Sequence, residues 1–244
     1  MKPKIGVMYA PGTNCHEETA FAIEMEGGEA VSVLLGDLLA GRASLTGLQL
    51  QGLVFPGGFS FGDHIAAGRV YAVQLIARLG DDLRRFLQSR RPILGICNGD
   101  QILMETGLLP GDSVGERLGA LTQNRSARFE GRWVTLAAAG GSFWCDGLSD
   151  RCLRLPSAHG EGRLMLAEGA SVRPAFYYVD GRGGACEFYP DNPSGSPAGI
   201  AGITDDSGLV LGLMPHPERA ILRAHGSEDG RGIFANMVRY CAQG

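Results

Sequence analysis

No stretch of this 244-residue chain is apolar enough to cross a bilayer. The longest uncharged run, Ala43 to Gly62, is broken by five glycines, Pro56 and two glutamines, and reads as loop, strand and loop. The apolar run after Met1-Lys2-Pro3-Lys4 is only strand length, so no secretory leader is expected. The six cysteines form no Cys-x-x-Cys pair and no zinc spacing, which reads as reduced thiols in a cytoplasmic protein with no metal site. No internal repeat occurs. No Gly-Lys-Ser/Thr follows a glycine loop, which argues against a phosphate-cradling P-loop. A net charge of −4 spread along the chain offers no electrostatic footprint for nucleic acid or an anionic membrane.

What remains is ordinary globular composition, 44% apolar and 20% charged, with one excess. Glycine accounts for 38 residues without a collagen period, so it must serve turns and close backbone approaches. The length suits a single domain over 1–244. Strand-like runs at Lys4–Tyr9, Ala30–Leu35, Gly52–Phe55 and Pro92–Ile96 alternate with helix-like periodicity. Thr13 or Asn14 is expected to cap a helix running to Gly27-Gly28. A longer helix is expected from about Ala66 to Ser89, and another beginning near Asp100. This alternation predicts an α/β fold with an open, mostly parallel sheet and helices on both faces. Further strands are expected at Arg132–Leu136, Ala175–Val179, Ile200–Ile203 and Leu209–Leu213. The last two are joined by an Asp205-Asp206-Ser207-Gly208 turn, so the C-terminal half adds antiparallel strands. Asp180–Gly199 reads as a surface loop, and Gly230–Cys241 as a final helix.

Gly95-Ile96-Cys97-Asn98-Gly99 has the pattern of a nucleophile elbow with Cys for Ser. A side chain on a tight strand-to-helix turn crowds the positions two before and two after it, and both are glycine. The helix start would favour the Cys97 thiolate, and the Asn98 N–H would face a developing oxyanion. A buried structural cysteine in a glycine-rich turn is the alternative. A nucleophile needs a base, and the base an orienter. His216 lies in Met214-Pro215-His216-Pro217-Glu218-Arg219, where flanking prolines impose extended backbone. Glu218, two residues on, can then share its face and fix its tautomer. His159, in Ser157-Ala158-His159-Gly160-Glu161-Gly162-Arg163, is the rival, read as part of a flexible loop that touches a ligand or partner. His16, His64 and His225 carry weaker contexts. Gly57-Gly58 follows the third strand and can supply a second oxyanion N–H. The same stretch holds a literal Gly-x-Ser-x-Gly around Ser60, but Pro56 and two glycines separate that serine from its strand.

These residues together resemble the class I glutamine amidotransferases, and among them the family of glutaminase subunits of phosphoribosylformylglycinamidine synthase. Pro11 to Cys15, Gly57 to Asp63, Ala67-Gly68, the Cys97 elbow, Gly107 to Gly111, Ala158 to Arg163, Asn192 to Ser196 and Met214 to Arg219 look like that family's blocks in its order. The resemblance implies a glutaminase in which Cys97 attacks L-glutamine to give a thioester. Gly58 and Asn98 hold the oxyanion, His216 moves protons and Glu218 orients it. It further implies that Gln101 contacts substrate and that Asn124 and Ser126 grip the amino-acid end. Ammonia would pass to a large ATP- and Mg-dependent synthetase subunit, with a small bridging subunit as a further partner and no cofactor in this chain. Two departures stand out. Asp100 replaces a usually uncharged residue and would raise the Cys97 pKa if close, and His64 stands where the family often has Tyr. A free-standing γ-glutamyl hydrolase and a non-catalytic regulatory subunit of the same fold are the alternatives.

Overall fold

The computed structural model describes residues 1–111 and 114–243. In chain order the first half runs β1 (Lys4–Tyr9), α1 (His16–Met25), β2 (Glu29–Leu34), α2 (Leu35–Leu39), β3 (Gly52–Phe55), α3 (Arg69–Gln88), β4 (Ile93–Ile96) and α4 (Asn98–Thr106). The second half runs β5 (Gly119–Gln123), β6 (Glu130–Ala138), β7 (Cys152–His159), β8 (Glu161–Leu166), β9 (Arg173–Tyr178), β10 (Ile200–Thr204), β11 (Val210–Leu213) and α5 (Arg231–Cys241). Nine strands form one sheet in the order β2-β1-β3-β4-β11-β10-β9-β6-β7, while β5 and β8 form a separate antiparallel pair. Pairings from β2 to β11 are parallel and those from β11 to β7 antiparallel.

The parallel half is apolar on both faces because both are covered. Along β3, Val54 packs with α1 and α5 residues such as Ile23 and Phe234, whereas Leu53 and Phe55 pack with α3 and α4 residues such as Leu75 and Leu103. The period-2 alternation of the strand thus feeds two separate cores. The expected first helix is shorter than its pattern suggested. Cys15, not Thr13 or Asn14, occupies its N-cap position, and no side chain caps it. Thr13 Oγ1 instead accepts the Ala10 N–H at 3.2 Å.

The stretch read as a flexible loop around His159 is a correction. It is the tight junction of β7 and β8, and His159 is 2% exposed. Small residues and Pro156 hide the strand pattern, and a proline is tolerated there because β7 is the edge of the sheet. Asn124 clamps this junction. Its Nδ2 donates to the carbonyls of Arg128 and His159, and its Oδ1 accepts the Gly162 N–H at 3.1 Å and lies 2.9 Å from His159 Nδ1. With the Oδ1 as acceptor, His159 carries its proton on Nδ1 and is neutral. Burial, with the neighbouring His216 adding to it, pushes its pKa down to about 3.

Two consequences can be measured. A methyl group on Gly99 would overlap the carbonyl oxygen of Phe55, where α4 meets β3. Gly99→Ala should therefore destabilise the fold by about 2 kcal/mol or more, read by urea unfolding; an unchanged midpoint would refute this packing. In the unfolded chain a histidine takes up a proton as pH falls through about 6.5, whereas folded His159 does not. Stability is therefore lost as pH falls below that value, by about 2 kcal/mol at pH 5 from this residue. His159→Gln should lose correspondingly less between pH 7 and pH 5, and parallel losses in the two proteins would show that His159 is not the source.

Candidate active site

Three neighbouring strands end at one place. β3, β4 and β11 are adjacent and parallel, and their C-terminal ends lead into Pro56-Gly57-Gly58, Cys97 and Met214-Pro215-His216 respectively. This is where open α/β sheets form their clefts. Cys97 sits directly between β4 and α4 with φ 52° and ψ −106°, in the positive-φ region that a non-glycine residue occupies only when its surroundings force it. Its N–H donates to the Leu213 carbonyl at 2.8 Å, continuing the β4–β11 ladder, and its carbonyl accepts the Gln101 N–H at 3.1 Å, opening the helix. Gly95 and Gly99 face each other under this turn. A Cβ on Gly95 would lie 2.7 Å from the Gly99 oxygen.

His216 Nδ1 lies 2.6 Å from Glu218 Oε1, in a pair that is 2% and 0% exposed. The His216 N–H donates to the Pro156 carbonyl at 2.7 Å, so the outer edge of β7 fixes the histidine backbone. Burial alone would lower the His216 pKa. The Glu218 carboxylate, the Cys97 sulfur and the Cys15 sulfur outweigh it and hold the imidazole well above its ordinary range. With Nδ1 turned to Glu218, Nε2 has no hydrogen-bond partner of its own among the described residues.

Cys97 lines a cavity of about 140 Å³ together with Gly58, Gln101, His159 and Glu161. Gly58 adopts φ +143°, and a Cβ there would press on the Asn14 nitrogen and the Gly12 oxygen, so only glycine lets this loop approach. The Asn98 N–H belongs to the first turn of α4, whose amides have no partner inside the helix. The Asn98 side chain is structural: its Oδ1 accepts the Ser60 N–H, and its Nδ2 donates to Gln101 Oε1 at 3.0 Å.

Not every expected residue reaches the cavity. Asn124 is fully engaged in clamping the β7–β8 junction. Ser126 lines a separate cleft of about 570 Å³ with Arg125 and Tyr189. Ser60 is buried on a short turn and does not line the cavity. Asp100 does not act on Cys97 as a charge. Its Oδ1 is aimed at Gly212 of β11 without a partner, and complete burial raises its pKa well above the carboxylate range, so it is a neutral acid. His64 and His225 are exposed, and His16 stacks on Tyr9.

The sequence did not single out Cys15. Its sulfur accepts from Arg219 Nη2 at 3.0 Å and lies beside His216. Cys15, His216 and Glu218 present donor atoms within 4.8 Å of one another, a set a metal could use. The direct 2.6 Å contact between imidazole and carboxylate, and a guanidinium on the thiol, suit a proton-transfer pair better than a cation site. Among the described residues, no helix is long and apolar enough to cross a membrane.

A family model described as a CobB/CobQ-like glutamine amidotransferase domain matches residues 2–241. The chain is 41% identical to phosphoribosylformylglycinamidine synthase subunit PurQ of Dehalococcoides mccartyi, covering 99% of each. It is 40% identical to the subunit of that name from Pyrococcus furiosus, over 97% of this chain and 98% of that one. It also superposes on a chain of the solved PurLQS structure from Thermotoga maritima with a TM-score of 0.80 and 33% identity, over 98% and 99% of the two chains. Matches that span both chains end to end leave one assignment: the chain belongs to the class I glutamine amidotransferases, in the family of the PurQ subunits.

Proposed function

We propose that this single-domain chain is the glutaminase subunit of a phosphoribosylformylglycinamidine synthase and supplies ammonia from L-glutamine to a synthetase subunit in purine biosynthesis. The observation that carries the reading is a strained Cys97 on the wall of a cavity, with the buried His216–Glu218 pair close enough for the sulfur to act on the imidazole. The names of the relatives support the partner and the pathway.

The chemistry follows from the geometry. Cys97 passes its proton to His216, and its sulfur attacks the side-chain amide carbon of glutamine. The carbonyl electrons move onto oxygen, and the Gly58 and Asn98 N–H groups receive that charge. The tetrahedral centre collapses, the C–N bond breaks, and His216 gives its proton to the departing nitrogen. A γ-glutamyl thioester remains on Cys97. Water then attacks it with His216 accepting the proton, and glutamate leaves with regeneration of the thiolate. Glu218 holds the imidazole in one tautomer throughout. Gln101, on the wall of the cavity, contacts the bound substrate.

Ammonia in neutral water is mostly protonated and loses its nucleophilicity, so the product needs a sealed path to its acceptor. That requirement supports a complex with a large synthetase subunit, which carries the ATP and Mg, and a small bridging subunit. Six unpaired cysteines support a cytoplasmic setting. Ser60, away from the cavity, gives no support to a serine hydrolase.

In the assembled complex, Cys97→Ala should abolish glutamine-dependent amidation and leave the ammonium-dependent reaction intact. Steady-state rates with each nitrogen source decide the matter, and near wild-type use of glutamine by the variant would end the proposal.

A further inference from the structure

Cys15 is 1% exposed but belongs to neither apolar core. It holds the N-cap position of α1 without capping it. A buried free cysteine ordinarily acts as a small apolar filler, but the partners of this one are polar. Its sulfur accepts from Arg219 Nη2 at 3.0 Å, and its thiol donates to Asn14 Oδ1 at 3.3 Å. Arg219 is anchored in turn, its Nε donating to Glu18 Oε1 at 3.2 Å. Burial pushes the Cys15 thiol up, so it stays protonated and adds no second anion.

The other side of this sulfur meets His216. A Cβ on Gly57 would lie 2.7 Å from His216 Cε1, 3.2 Å from His216 Nδ1 and 3.1 Å from Cys15 Sγ. One edge of the imidazole and the sulfur therefore converge on a space that a glycine leaves open. The Cys15 N–H donates to the Gly57 carbonyl at 3.2 Å, which ties the two backbones together around that edge. The sulfur, a Glu218 oxygen and a ring nitrogen of His216 lie within 4.8 Å of one another. Carboxylate, sulfur and backbone thus enclose the Nδ1–Cε1 edge, while Nε2 has no partner among the described residues. The remaining titratable neighbours of His216 are Cys97 and His159. An imidazole that takes up a proton gains from each acceptor on its positive edge, and a sulfur lone pair beside Glu218 is one.

We propose that Cys15, anchored by Arg219 and Glu18, is a positioning residue for the catalytic base: it holds the His216 ring with Nε2 free and favours its protonated form. This rests on the glutaminase reading. Cys15 does not line the cavity in front of Cys97, so it acts through His216 and not on the substrate.

Steady-state kinetics of the assembled complex, followed over pH, test this. Cys15→Ala should lower the glutamine-dependent kcat roughly 10–100-fold and leave the KM for glutamine unchanged, because a displaced base costs rate and not binding. The acid limb of kcat/KM, set by loss of the His216 proton, should move to lower pH once the sulfur is gone. Cys15→Ser keeps a donor and an acceptor at this place and should recover most of the lost kcat. A sulfur that only fills space would change the urea midpoint and leave kcat and the acid limb of the folded complex in place, and that result overturns the proposal. A raised KM with kcat retained would put Cys15 in substrate binding and also overturn it. Should Cys15→Ala fail to fold, Arg219→Gln frees the sulfur from the guanidinium at a partly exposed position. It should lower kcat roughly 10-fold with KM unchanged, and a wild-type kcat in that variant would overturn the proposal. A wild-type complex that uses ammonium but never glutamine would fault the glutaminase reading instead.

Discussion

The backbone of Cys97 is the constraint from which the site is built. A non-glycine residue at φ 52° costs of the order of 1–3 kcal/mol and persists only where its neighbours leave no alternative. Here β4 ends in a fully buried apolar strand whose last ladder bond runs from Cys97 to Leu213, and α4 begins one residue later. The reversal must fit within that single residue. It fits because Gly95 and Gly99 lack the atoms that would otherwise collide, with each other and with the Phe55 carbonyl. Packing between α4 and the sheet thus holds the turn, and the turn lifts the sulfur clear of the strand.

The same sheet also sets what the sulfur meets. The order β3-β4-β11 places the Gly58 loop on one side of Cys97 and His216 on the other, although the two residues are 158 positions apart in sequence. Neither loop is free to drift. The Gly58 loop is stitched to the segment after β1, where the Cys15 N–H donates to Gly57 and the Phe59 N–H donates to Gly12. His216 is tied by its N–H to Pro156 on the edge strand and by its ring to Glu218. The antiparallel extension, β10 through β7, therefore reaches back to the catalytic strand ends and supplies a wall that a purely parallel sheet would lack.

Local chemistry was readable from the chain wherever a residue type was forced by its immediate neighbours. The elbow glycines, the proline-flanked His216 and the Glu218 two residues on are of this kind, and so are the apolar strands of the parallel half. The β7–β8 region was not readable. Ser157-Ala158-His159-Gly160 has neither apolar alternation nor a turn signature, and Pro156 argues against a strand unless the strand is known to be an edge. Asn124 was misplaced for a related reason: its role depends on four hydrogen bonds to residues four to thirty-eight positions away, which no local pattern announces. Cys15 meets His216 across 201 residues, and only the folded loops bring them together.

The buried groups around the sulfur share a charge logic. Asp100 and Tyr178 are both completely buried and both held in their neutral forms by that burial. His159 is likewise neutral, where an ordinary histidine would carry partial charge. An ionised Asp100 would oppose a thiolate on the same turn of helix, and a protonated His159 would compete with His216 for it. Desolvation removes both rivals without removing their hydrogen-bonding atoms. What is left near Cys97 is a single strong cation, the imidazolium of His216, backed by the carboxylate of Glu218. A low-dielectric surrounding makes that one pairing stronger than it would be in water. The buried groups beside the sulfur are therefore polar in composition, and the charge among them is concentrated in the His216–Glu218 pair, the pair proposed to pass a proton to a leaving amine and to take one from water.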